Sequence, residues 1–284
     1  MKSAHARFTE GWRRFWQNRS CAVGLVMILL LVGMALFESH IATVGFNAAD
    51  MSARYENPSS AHIFGTDEMG RDVYSRTVYG TRLALRAAAL GAVIELAIGV
   101  TLGLIAGFFG KWIDSLIMFI GDMIWSLPTV VIAMAIVMFL GKSLDNVIIA
   151  CALAGWPRYA RIVRAKTMSL KDQPFVETGV AFGENNAALM FLYIFPNILP
   201  TMAVMASISM PGFIGSTTTL SFLGMGAQPP SPDWGLAISR GASVIYRAPW
   251  VTIFPCLALM YTIIAFSLFG EGLRDLIDPR LKLH

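Results

Sequence analysis

Charge is what this sequence has least of. Asp, Glu, Lys and Arg make up 14% of its 284 residues, where a soluble domain carries about 25%. Hydrophobic residues reach 56%, more than one water-soluble core can hide, and the bilayer is the solvent that suits them. Cysteine is scarce as well. Cys21, Cys151 and Cys256 lie in or beside apolar runs, with neither metal-ligand spacing nor a disulfide framework, and read as packed thiols. His5, His40, His62 and His284 fall outside those runs, and none pairs by spacing with a Cys or a carboxylate, so no metal site is expected. A phosphate-binding loop is missing too. Gly141-Lys142-Ser143 ends like one, but position 136 is Ile where the pattern needs Gly. The net charge of +4 would hint at nucleic acid in a soluble protein; here no nucleic-acid partner is expected, and the placement of the charges matters more than their sum.

What is present is a series of apolar runs. A helix needs about 20 mostly apolar residues to cross the hydrocarbon core, and six stretches qualify: about 21–37, 83–109, 113–140, 144–163, 198–225 and 251–269. They are continuously apolar, without the alternation of a barrel strand. The expected fold is therefore all-α, a polytopic membrane protein with six transmembrane helices. Pro128 and Pro211 are the expected kink sites. Residues 1–20 carry Lys2, Arg7, Arg13, Arg14 and Arg19 interleaved with Trp12, Phe15 and Trp16, a pattern for a cytoplasmic or interfacial segment. No small-residue cleavage site follows the first run, which reads as an uncleaved span. Residues 21–284 are expected to form a single transmembrane domain. With both termini in the cytoplasm, fourteen of the 22 Lys and Arg residues lie inside, as the positive-inside rule asks.

Three polar stretches exceed simple connectors: 38–82 and 226–249 outside, and the inner loop around 164–196. The inner loop holds Glu177, a turn at Gly183 and a proline, Pro196. It reads as a short helix, a turn and a second helix leading to the next span, a docking element or a linker. The outer stretch around Asp67, Gly70, Arg71 and Asp72 alternates acids and bases. It can order the outer mouth through paired charges, meet a substrate-delivering protein, or hold a metal. Glu95 and Asp122 fall inside expected spans, where a carboxylate is costly. They bond across helices, line a pathway, or relay protons. Gly99, Gly103 and Gly107 recur every fourth residue and fit close approach of another helix. The fifth span carries Ser209 and Thr218 among seven hydroxyls; these line a pore or bond their own helix.

The inner loop resembles the EAA loop of ABC importer permeases: Glu177, Gly183 and Pro196 match in identity and spacing. Residues 64–76, 122–128, 220–235 and 270–280 are similar to stretches of one subgroup, the dipeptide, oligopeptide and nickel permeases. The likeness covers nearly the whole chain in the expected order. Departures are Thr178 and Gly179, where the motif has two alanines, Phe195 before the proline, and the lack of arginine over 187–192. Gly179 is expected to weaken the short helix by up to about 1 kcal/mol. The resemblance implies a non-catalytic, multi-pass subunit of a bacterial inner membrane. It implies a heterodimer with a second, homologous permease, two cytoplasmic ATP-binding subunits and an extracytoplasmic solute-binding protein. ATP and Mg would sit on the ATPases and no cofactor on this chain, which would couple through Glu177, Thr178, Gly179, Gly183 and Pro196. Substrates would be di- or oligopeptides, or nickel and related chelates. The rival reading is an ion-coupled secondary transporter using Glu95 and Asp122.

Overall fold

A computed structural model describes Trp16 and residues 18–277; the expected interfacial segment 1–20 therefore lies almost wholly outside the described residues. Every regular element among them is helical, with no strand beyond one isolated bridge between Thr66 and Asp72. The main helices are α1 (Arg19–Leu36), α2 (Val73–Phe109), α3 (Lys111–Trp125), α4 (Thr129–Leu140) and α5 (Leu144–Leu170). After them come α6 (Pro174–Ala181), α7 (Phe195–Phe222), α8 (Trp234–Ala242) and α9 (Trp250–Ile277). Four segments are long and apolar enough to cross a membrane, and the α3–α4 pair makes five when taken as one broken span.

Boundaries differ from the expected spans for identifiable reasons. The second run starts as a helix at Val73, ten residues before the expected 83, because Asp72 caps it by accepting from the Ser75 amide at 2.7 Å. The expected third span, 113–140, is two helices bent by 93°. Pro128 caps α4, and with no N–H of its own it cannot continue the hydrogen-bond ladder of α3. At Pro211 the outcome is different, since α7 runs on through both Pro200 and Pro211. The fourth run continues to Leu170, so the first residues of the expected 164–196 loop belong to α5. The fifth and sixth runs form helices at 195–222 and 250–277.

The Gly99, Gly103 and Gly107 stripe is where α2 meets α5. A Cβ added at Gly99 would stand 2.4 Å from Tyr159 Cβ, one at Gly103 2.6 Å from the Ala160 carbonyl, and one at Gly107 2.7 Å from the Arg164 carbonyl. Both residue series rise together, so α2 and α5 run parallel. Arg86 bonded to Asp145 at 2.7 Å fixes the other end of the pair. From Arg86 to Gly107 is about 32 Å of helix, close to the hydrocarbon thickness of about 30 Å. The α3–α4 pair must therefore return the chain across that distance between two parallel helices. Helix α7 runs the opposite way: Phe213 packs on Gly91, and the carbonyl of Thr218, one turn onward, packs on Gly235 beside the start of α2. Helix α1 is antiparallel to α9, with Gly24 on Phe269 and Gly272 on Cys21.

Candidate functional site

Three polar assemblies sit along this bundle, at one mouth, at the opposite mouth and between them. The first is built by 66–76 together with α8. Asp67 accepts from Arg71 Nε at 2.7 Å and from the amides of Met69 and Arg71 at 2.8 and 3.0 Å. Arg71 is 2% exposed, and its Nη2 also donates to Glu68, which Arg240 reaches from α8 at 2.5 Å. Burial alone raises the Glu68 carboxyl, but its backbone hydrogen bond, Arg240 and Arg71 more than offset this and hold it below the usual carboxylate range. Arg76 donates to the carbonyls of Phe46, Pro230 and Ser231 at 2.8–3.2 Å. Asp72 pairs with other groups: the Ser75 amide, Thr43 and His62 Nδ1. Gly70 has φ +69, and a Cβ there would stand 1.7 Å from the Asp50 carbonyl, so glycine is required for that closure. The outer residues named from sequence are thus brought together as a closed ion-paired plug. Arg76, Arg240 and Trp234 were not singled out from sequence. Each has a partner 154 or more residues away, beyond any local pattern.

At the opposite mouth, α6 projects from the end of α5. Gly183 adopts φ +80, and its amide bonds the Val180 carbonyl while the Glu184 amide bonds that of Gly179. This is a glycine-terminated helix end that satisfies the last carbonyls. Val176 is buried with Leu189, Met190 and Ile194 against Val100, Leu104 and Val163, which fastens α6 to the ends of α2 and α5. Gly179 is buried on this side, and a Cβ there would meet Leu189 Cδ2 at 2.8 Å. The departure from alanine therefore fits the close seat of the following turn. The other face holds exposed Glu177 and Thr178, with Phe182 82% exposed. Thr178 Oγ1 turns inward to the Pro174 carbonyl, and Pro196 lies exposed in the first turn of α7.

Between the mouths, Glu95 is 3% exposed, and its Oε2 has no hydrogen-bond partner among the described residues. It lines a cavity of about 190 Å³ beside the α3–α4 break. Asp122 is elsewhere: its side chain is 65% exposed and ion-paired to Arg161, whose guanidinium lies 3.9 Å from the Trp125 ring centre. A parallel pair, Asp114 with Arg164, ties the start of α3 to α5. The two intramembrane candidates thus part company, one neutralised by a neighbouring cation and one not. The α7 hydroxyls mostly bond their own helix: Ser207, Ser209, Ser216, Thr217 and Thr219 donate to carbonyls three or four residues back, a common way for hydroxyls to be satisfied in apolar surroundings. Thr218 is half-buried.

Comparisons with known proteins bear on the chain as a whole. Residues 99–283 match the family model described as the binding-protein-dependent transport system inner membrane component. Residues 7–58 match the N-terminal transmembrane domain of oligopeptide transport permease C. The dipeptide transport system permease protein DppC of Alkalihalophilus pseudofirmus is 38% identical over 280 residues, covering 99% of this chain and 92% of that one. The glutathione transport system permease protein GsiD of Pectobacterium atrosepticum is 38% identical over 282 residues, covering 99% and 94%. Among solved structures, an inward-facing MetNI methionine ABC transporter chain shares the fold, with a TM-score of 0.56 at 17% identity over 72% of this chain and 97% of that one.

Proposed function

The chain belongs to the family of binding-protein-dependent transport system inner membrane components, the permeases of ABC importers, and from that premise we propose that it forms half of a peptide-conducting pore. Its relatives are transport permease subunits named for dipeptides and glutathione. We read the substrate as a short peptide of this kind, in preference to a nickel chelate. The chain does no chemistry of its own; ATP and Mg belong to two partner ATPases. A second, homologous permease completes the pathway, and an extracytoplasmic binding protein delivers substrate to the mouth closed by Asp67 and Arg71. The setting is a bacterial inner membrane.

The observation that carries this reading is the placement of α6. It lies at the end where α2, α5 and α9 finish and α1 starts, so the described ends of the chain share its side. Six crossings are our reading, with the broken α3–α4 pair counted as one and α5 added to the apolar segments; the alternating helix directions support it, and Lys and Arg placement favours the α6 side as cytoplasmic. An ATPase gripping Glu177 and Phe182 would move α6. The apolar cluster around Val176 would carry that movement to α2 and α5, which flank the Glu95 cavity.

The test is reconstitution with the cognate ATPases and binding protein in liposomes. ATP-dependent dipeptide uptake is expected, and Glu177→Lys should abolish ATPase docking, measured by co-purification, while leaving the yield of folded permease unchanged. Uptake driven by a proton gradient without ATPases would overturn the reading in favour of a secondary transporter.

A further inference from the structure

The cavity at Glu95 joins elements that are distant in sequence. Glu95 comes from α2, Trp125 and Thr129 from the two sides of the α3–α4 break, Gly155 and Arg158 from α5, and Phe213 from α7. Glu95 is as buried as the core residue Leu31, each 3% exposed, yet its Oε2 is unpartnered. An unsatisfied buried polar group costs about 1–3 kcal/mol, and more when charged. The surroundings are shaped to keep it there. A Cβ at residue 155 would stand 1.8 Å from Glu95 Oε1, so glycine lets the carboxyl rest against the cavity wall and a larger residue would push it aside. Arg158 lies one turn further along α5, exposed at the cavity rim, and makes no ion pair with Glu95 or with any other carboxylate among the described residues. The chain satisfies its other nearby cations, since Arg161 and Arg164 each hold an aspartate of α3.

A buried carboxyl group and a rim cation thus face one cavity without forming an ion pair. Their offset along the helix axis is about 4.5 Å, to which the arginine side chain adds its own reach. A dipeptide spans about 7 Å between its ends. We propose that this cavity is a passage subsite for zwitterionic short peptides, in which Glu95 receives the α-ammonium group and Arg158 the carboxylate. Trp125 and Phe213 supply apolar surface against which the peptide's side chains pack. The position beside the α3–α4 break places the subsite between the two mouths, so a peptide released at the outer plug meets it before reaching the α6 side. The proposal rests on the reading of this chain as a peptide importer's permease.

Dialanine is the probe. In the fully assembled importer, Glu95→Gln should lower ATP-driven dialanine uptake per assembled complex by about tenfold, the scale of one lost charge-assisted hydrogen bond, and Glu95→Asp should recover part of it. A second measurement separates binding from folding. Ser216 also lines the cavity, and in Ser216→Cys complexes lacking the binding protein, dialanine should slow labelling of the new thiol. N-acetyl-dialanine, which lacks the ammonium, should not, and Glu95→Gln should remove the protection. Wild-type uptake by Glu95→Gln, equal protection by both peptides, or reduced uptake with protection intact would each overturn the subsite. Assembly with ATPases but no dialanine uptake by the wild type overturns the subsite while leaving the importer assignment standing; failure to assemble with ATPases overturns that assignment itself.

Discussion

Asp67 and Glu95 are equally hidden, 4% and 3% exposed, and opposite in everything else. Asp67 collects a guanidinium and two amides within 3.0 Å; Glu95 leaves one oxygen without any donor. Burial alone therefore does not mark function. A buried carboxylate with both oxygens hydrogen-bonded cements the loop that makes it, whereas one left unsatisfied is a cost the fold carries for another purpose. The loop around Asp67 is also assembled by neighbours within four residues and cross-braced by α8, while Glu95 depends on glycine 155 for its very space.

Changes to the two regions should differ in size and in kind. The largest effect is expected for Arg71→Met, which strands Asp67 in a closed site. Breaking a buried pair costs about 3–5 kcal/mol, and the detergent-solubilised protein should show a sharply lowered Tm or fail to accumulate. Gly155→Ala comes next. The new methyl displaces the Glu95 carboxyl at an overpacking cost of about 1–3 kcal/mol, so Tm should fall moderately while dialanine protection disappears. Glu95→Gln reverses the pattern: with no partner lost, stability should stay within about 1 kcal/mol of wild type or rise, and a Tm fall as large as that of Arg71→Met would erase the contrast between the regions. The smallest effect concerns pH. The folded Glu68 carboxyl is held below its ordinary value, so its stabilisation is complete above about pH 4.3 and is lost as pH falls through the lowered value. Glu68→Gln should flatten the acid limb of Tm against pH, and an unchanged acid limb would remove Glu68 from the plug's charge balance.

Much of the architecture was legible because it is written locally. Apolar runs declare spans by length alone, Pro128 declares a break because it lacks an N–H, and Gly99, Gly103 and Gly107 declare a close helix contact because they share one face. Motif spacing pointed to Glu177 and Gly183, and the comparisons bear out the family to which that spacing belongs. For Asp122 the bond across helices was one of the readings, but a carboxylate inside an apolar run does not name its partner, Arg161, 39 residues onward. The early start of α2 was hidden because its first turns are polar and lie where the outer plug, not the bilayer, buries them. Arg158 lies in the same stretch as Arg161 and Arg164, and only its lack of an ion pair among the described residues distinguishes it.

The sequence by itself determined that this chain is helical, membrane-embedded and related to importer permeases, because hydrophobic length and motif spacing act within tens of residues. Tertiary structure alone decided which charges are neutralised and which are left facing a cavity. Those outcomes depend on which helix lies beside which, and on whether a residue such as Gly155 yields the last ångströms that a carboxylate needs.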